Sequence, residues 1–170
     1  MAKWNDTDEP IAYLITFRTY GTWLAGDERG SVDKYHNKFR GPRSVPSKLR
    51  EHLHSDRLKS PPFLLNAKCR TLVESAIREV CDFRRWSLIA VSVRTNHAHI
   101  VSSGNSHSSR MLNDFKSYST RWMRENGEWD FDHSPWVDKG SRRNLWTEEQ
   151  VYSAKNYVIL GQGGPLPDFD

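Results

Sequence analysis

The chain has 170 residues, 36% hydrophobic, 12% aromatic and 27% charged, with a net charge of +4. That length suits one core rather than two, and the apolar and aromatic content excludes a disordered chain. No apolar run approaches membrane-spanning length, and Met1-Ala2-Lys3-Trp4-Asn5-Asp6 carries no signal-peptide core, so a cytoplasmic protein is expected.

In chain order, Ile11–Arg18 is rich in β-branched and aromatic residues and reads as a first strand. From Tyr20 to about Pro62 the chain turns Gly-, Pro- and charge-rich, which predicts a basic insertion at about 21–62 within a single domain spanning 1–170. Between Lys34 and Ser60 eight Lys or Arg stand against Glu51 and Asp56. This excess suits a polyanionic partner, and a solvated loop explains it equally well. A short helix fits Ser47–Leu58.

Asn66 is placed to cap a helix running to about Arg84, with Cys69, Leu72, Val73, Ala76, Val80 and Phe83 on its buried face. Cys69 and Cys81 are twelve residues apart in that helix, too far to bridge, and read as small buried residues. Ser87–Arg94 reads as a strand with Ile89, Val91 and Val93 on one face. Thr95 and Asn96 then turn the chain into a returning strand, His97–Ser103. A second amphipathic helix spans about Ser108 to Glu125, with Met111, Phe115, Trp122 and Met123 inward. Arg143–Trp146 suits a short strand, and Thr147 with Gln150 forms a capping box for a last helix ending at Gly161, Gly163 and Gly164. The order β-α-β-β-α-β-α predicts an α+β fold: a ferredoxin-like split βαβ sandwich, its antiparallel sheet covered by helices on one face, plus a C-terminal helix.

Two features carry chemistry. In Asn96-His97-Ala98-His99-Ile100-Val101 the two histidines are two residues apart on a strand, so they share a face at about 6–7 Å while Ala98 and Ile100 point into the core. Two imidazoles so placed suit one divalent ion; two polar residues on a solvent-facing strand explain an isolated pair as well. No cysteines stand at structural-zinc spacing, and two imidazoles with an added oxygen ligand and positions left for phosphate suit Mg²⁺ or Mn²⁺. The second feature is Tyr157, at the edge of a buried Val151, Ala154 and Val158 stripe on the last helix. A phenol attacks phosphorus only with help, and on physical grounds alone Tyr118 and Tyr152 compete with it.

The hairpin Arg94-Thr-Asn-His-Ala-His-Ile-Val101 resembles the His-hydrophobic-His (HUH) motif of the single-tyrosine transposases of small insertion sequences (the IS200-like transposases), whose relatives include the REP-associated tyrosine transposases. The likeness extends to Thr16–Asp33, to the basic helix segment Phe115–Arg121, and to Leu145-Trp146 followed by Tyr157-Val158 and Gln162. The resemblance implies that His97 and His99 bind the metal and that Tyr157 attacks the scissile phosphate of single-stranded DNA. A 5′-phosphotyrosine and a free 3′-hydroxyl would result. It further implies Gln162 as a third ligand, although the family's Gln or Asn usually follows the tyrosine by four residues and here the interval is five. It also implies a homodimer acting on DNA with hairpin ends. Arg110, Lys116, Arg121 and Arg124 on the basic helix are the candidate nucleic-acid contacts. The competing readings are an HUH replication or relaxase-type nickase and a non-catalytic or domesticated single-stranded nucleic-acid-binding protein on the same fold.

Overall fold

The computed structural model describes residues 8–22 and 45–161. The chain divides into two compact units, Tyr20–Phe63 and the remainder, Met1–Thr19 with Leu64–Asp170. In the smaller unit, α1 (Lys48–Ser55) is capped by Ser47, whose hydroxyl accepts the Arg50 N–H at 3.3 Å. Gly21 has φ +73°, and a Cβ there would stand 3.0 Å from Pro62 Cα, so this turn requires glycine.

The larger unit contains β1 (Ala12–Arg18), α2 (Ala67–Arg84), β2 (Ser87–Val93), β3 (His97–Ser103), α3 (Ser108–Glu125), β4 (Ser141–Leu145) and α4 (Glu148–Leu160). Its sheet runs β2-β3-β1-β4 with every neighbouring pair antiparallel. This is the expected ferredoxin-like arrangement. The β2–β3 connection is the expected tight turn: Arg94 N–H donates to the His97 carbonyl at 2.8 Å, leaving only Thr95 and Asn96 between. Among the described residues, no helix is long and apolar enough to cross a membrane.

Strand alternation divides the sheet into two unlike faces. Ile15, Phe17, Ala98, Ile100 and Val93 are buried on one side, toward α2 and α3. There Phe17 meets Trp136 edge-on at 4.8 Å, and the Trp136 indole N–H donates to the carbonyl of Lys116 on α3. On the other side Ala12, Ala90, Val101 and Leu145 form a smaller cluster with Ala154 and Val158 of α4, against which Leu14, Ile89 and Val151 pack. So α2 and α3 cover one face, and α4 covers part of the opposite one.

Three expectations about burial need correction. Ile89 does not share a face with Val91 and Val93, because the β2–β3 register shifts between Leu88 and Ala90, and this bulge turns Ile89 toward α4. Phe83 is 67% exposed; the inward face of α2 passes instead through Ile77 and Cys81. Trp122 is only partly buried and donates its indole N–H to Glu79, while Leu112 and Ser119 join Met111, Phe115 and Met123 inside. Both cysteines are buried and unbridged, and burial pushes their thiols up to about 12 for Cys69 and about 11 for Cys81.

The last helix is held by its start and its stripe. Thr147 Oγ1 accepts the Gln150 N–H at 3.2 Å, and Gln150 Oε1 accepts the N–H of Trp146, one residue before the cap, at 2.7 Å. At the other end the Gly161 N–H donates to the Tyr157 carbonyl at 2.9 Å. Removing the cap hydroxyl leaves an N-terminal amide without its partner. Thr147→Ala should therefore lower stability by about 1 kcal/mol in urea unfolding, with Thr147→Ser recovering most of it. An unchanged midpoint in Thr147→Ala would show that the cap contributes nothing.

Candidate active site

The β1–β3 register decides what surrounds the two histidines. Arg18 pairs with His97, Thr16 with His99 and Leu14 with Val101. On the other flank Ser92 of β2 pairs with His99. Residues directly opposite in a ladder share a face, so His97, His99, Thr16, Arg18 and Ser92 all lie on the α4 side. Below them Val101 and Leu14 belong to the apolar cluster that seats α4. The same strand thus supplies a polar end with the two imidazoles and an apolar end that anchors the helix.

The rings converge. The imidazoles of His97 and His99 meet edge-on with centroids 4.6 Å apart, and the Tyr157 ring lies edge-on to His99 at 5.4 Å. Tyr157 is 47% exposed, so its ring is steadied by His99 while part of it faces solvent. Each histidine has its Nδ1 beside an oxygen: Asn96 Oδ1 lies 2.7 Å from that of His97, and Thr16 Oγ1 lies 2.6 Å from that of His99. An amide oxygen can only accept, so His97 Nδ1 carries the proton and its lone pair is on Nε2. This is the tautomer a metal-binding imidazole needs when its other nitrogen is held by an oxygen. Two imidazoles on one face could fill two positions in the coordination shell of a divalent ion. Among the described residues no third His, Cys, Asp or Glu completes a cluster with them. Gln162 lies outside the described residues.

The three candidate tyrosines occupy different places. Tyr157 meets His99, whereas Tyr152 is five residues earlier on α4, well round the helix, and exposed. Tyr118 sits on α3 with the Arg121 guanidinium 4.5 Å above its ring. The four basic residues of α3 belong to the helix on the other side of the sheet. Lys116 is drawn inward: its ammonium donates to the carbonyls of Val137 and Lys139 at 2.8 and 2.6 Å, and burial lowers its pKa. Arg121 holds both carboxylate oxygens of Glu79, and Arg124 donates to the Phe131 carbonyl. Arg110 makes a long 4.0 Å contact with Asp114. Arg121 and Arg124 line an open groove with Ser117, Thr120, Glu125 and Ser134.

Two residues of the site, Thr16 and Asn96, were not singled out from the sequence as histidine partners. Asn96 is the residue before His97; Thr16 is 83 positions from His99 and can be found only through the strand register. One expectation changes as well: His99 is 8% exposed, a buried residue rather than a surface one. His99→Ala would open a gap beneath Tyr157 and strand the Thr16 hydroxyl, so it should cost about 1–3 kcal/mol in stability. His97→Ala and Tyr157→Phe should each cost under about 1 kcal/mol. Equal losses for the two histidines in urea unfolding would contradict this difference in burial.

Residues 57–153 match the sequence model of the family described as "Transposase IS200 like". That segment contains both histidines and stops short of Tyr157. No curated protein sequence matches the chain. Among solved structures, a REP-associated tyrosine transposase bound to a REP hairpin is similar over 95% of this chain and 72% of its own, with a TM-score of 0.53 and 10% identity. A protein from Deinococcus radiodurans R1 assigned to the transposases is similar over 97% of this chain and 100% of its own, with a TM-score of 0.51 and 12% identity. At such identities the two structures speak for the fold, and the family match, over more than half of the chain, speaks for descent. The chain belongs to the family of IS200-like transposases.

Proposed function

We propose that this transposase cuts and rejoins single-stranded DNA through a covalent link to Tyr157. The observation that supports this reading is the meeting of three rings, His97, His99 and Tyr157, on one sheet face beside solvent. His97 and His99 would hold Mg²⁺ or Mn²⁺ through Nε2, with Gln162 as the proposed third ligand. A bound divalent ion would polarise the scissile phosphate and offset its charge. The phenol oxygen of Tyr157 attacks phosphorus; a P–O bond to tyrosine forms as the bond to the 3′ oxygen breaks, and the phenolic proton ends on that oxygen. The 5′-phosphate stays on Tyr157, so the bond energy is retained for transfer to another 3′-hydroxyl.

The relative's bound hairpin makes folded DNA ends the reasonable substrate here. The exposed guanidinium groups of Arg110, Arg121 and Arg124 are the proposed phosphate contacts, on a surface apart from the cleavage site. Lys116 is the weakest of the four candidates because its charge is already spent on two carbonyls. A homodimer is in keeping with Tyr152, Ile159 and Leu160, apolar residues that α4 leaves exposed.

Incubated with single-stranded DNA from its own genomic flanks and Mg²⁺ or Mn²⁺, the protein should form a denaturant-stable adduct. Chelation, His97→Ala or Tyr157→Phe should abolish it, and the modified tryptic peptide should carry Tyr157. Binding without any adduct would favour a non-catalytic nucleic-acid-binding protein instead. Affinity for hairpin DNA should fall steeply with salt, and Arg110→Ala or Arg124→Ala should each reduce the salt slope by about one. A slope that neither replacement changes would remove α3 from the DNA path.

A further inference from the structure

We propose that Thr16 is a positioning residue for the metal site: its hydroxyl accepts a hydrogen bond from His99 Nδ1–H and thereby keeps the Nε2 lone pair of His99 available to the cation. This inference rests on the metal-binding reading above. Its geometry is that of two neighbours across a ladder, with Thr16 opposite His99 and Oγ1 2.6 Å from Nδ1.

A threonine hydroxyl can donate or accept, and the two possibilities have opposite consequences. If Thr16 donates, Nδ1 is bare, the ring proton sits on Nε2, and that nitrogen cannot bind a cation. If Thr16 accepts, Nδ1 carries the proton and the lone pair is on Nε2. The neighbouring histidine shows which arrangement the site is built for. His97 Nδ1 lies against Asn96 Oδ1, which only accepts, so its lone pair is on Nε2. A cation shared by both rings needs the same tautomer in each. Oxygen acceptors on Nδ1 of both histidines supply it by the same device from two sources, one from the turn before the strand and one from the strand alongside.

Thr16 suits this task for a second reason. It is β-branched, so its side-chain rotamer is restricted, and the strand that holds it is hydrogen-bonded on both sides, to β3 and to β4. Its oxygen is therefore fixed relative to the sheet that also fixes His99. Because His99 in turn supports the Tyr157 ring at 5.4 Å, the orientation set by Thr16 passes to the phenol as well.

The test separates tautomer, metal binding and fold. Thr16→Val keeps shape and branching and removes only the hydroxyl; Thr16→Ser keeps the hydroxyl. In metal-free protein labelled with ¹⁵N-histidine, at about pH 8 where imidazole is neutral, His99 should be in the Nδ1–H form. In Thr16→Val it should shift toward Nε2–H, and Thr16→Ser should restore the original signal. Mn²⁺ affinity, followed by electron paramagnetic resonance without DNA, should fall about 10–100-fold in Thr16→Val and return in Thr16→Ser. Circular dichroism should be the same for all three proteins. An Nε2–H tautomer at His99 in the unmodified protein overturns the inference, as does a Thr16→Val protein with unchanged tautomer and Mn²⁺ affinity. If the unmodified protein binds no Mn²⁺, the metal reading fails, and the tautomer measurement alone decides the role of Thr16.

Discussion

Pairing between β1 and β3 sets Thr16 opposite His99 and Ile15 opposite Ile100. Side chains alternate along both strands, so the offset of a single residue would turn His97 and His99 into the α2–α3 core and Ala98 and Ile100 out toward solvent. Ile15 and Ile100 are both fully buried, and so are Phe17 and Ala98 one step along. The apolar face thus enforces the register with more burial energy than the polar face could. The histidine pair on one side of the sheet is held in place by hydrophobic packing on the other.

The periodicities in the sequence were enough for the element order, the sheet and the location of the histidine hairpin. They rest on local rules: alternation along His97–Ser103, caps at Asn66 and Thr147, and a three-to-four spacing along α2 and α3. What escaped was set by neighbours distant in the chain. Ile89 leaves the expected alternation because of a bulge against β3, and no pattern within β2 announces that. Phe83 and Trp122 satisfied a helical spacing, yet each lies at the margin of the packed stripe, where the neighbouring elements, not the helix itself, decide burial. Among the site residues, the histidine pair was visible from its spacing. Local pattern does not separate Tyr157 from Tyr118; the ring contact of Tyr157 with His99 depends on how α4 packs against the sheet. That Glu79 holds the Arg121 guanidinium cannot be read from residues 42 positions apart.

The two sheet faces divide labour in a way that follows from their composition. The α2–α3 side is large, aromatic and continuous, with Trp86 against Phe115 and Phe17 against Trp136. The α4 side is smaller, built from Ala12, Ala90, Ala154, Val101, Val158 and Leu145. Small side chains bring a helix backbone close to a sheet, and the rest of the face is left to polar groups. A bulkier seat for α4 would lift Tyr157 away from His99. The alanines beneath the helix therefore set the distance between the Tyr157 ring and His99.

The bulge at Ile89 has a second consequence, for the behaviour of the protein in crowded solution. Among the described residues the sheet is open, with β2 and β4 as its edges. An edge strand with regular, unpaired amides invites pairing with the same strand of another molecule, the first step toward aggregation. Here the irregular ladder at Leu88–Ala90 twists one edge. The other edge is five residues long and carries Arg142 and Arg143 side by side. Neither offers a flat, uncharged template. A sheet with part of one face left to polar groups is thereby kept from extending itself through its own backbone.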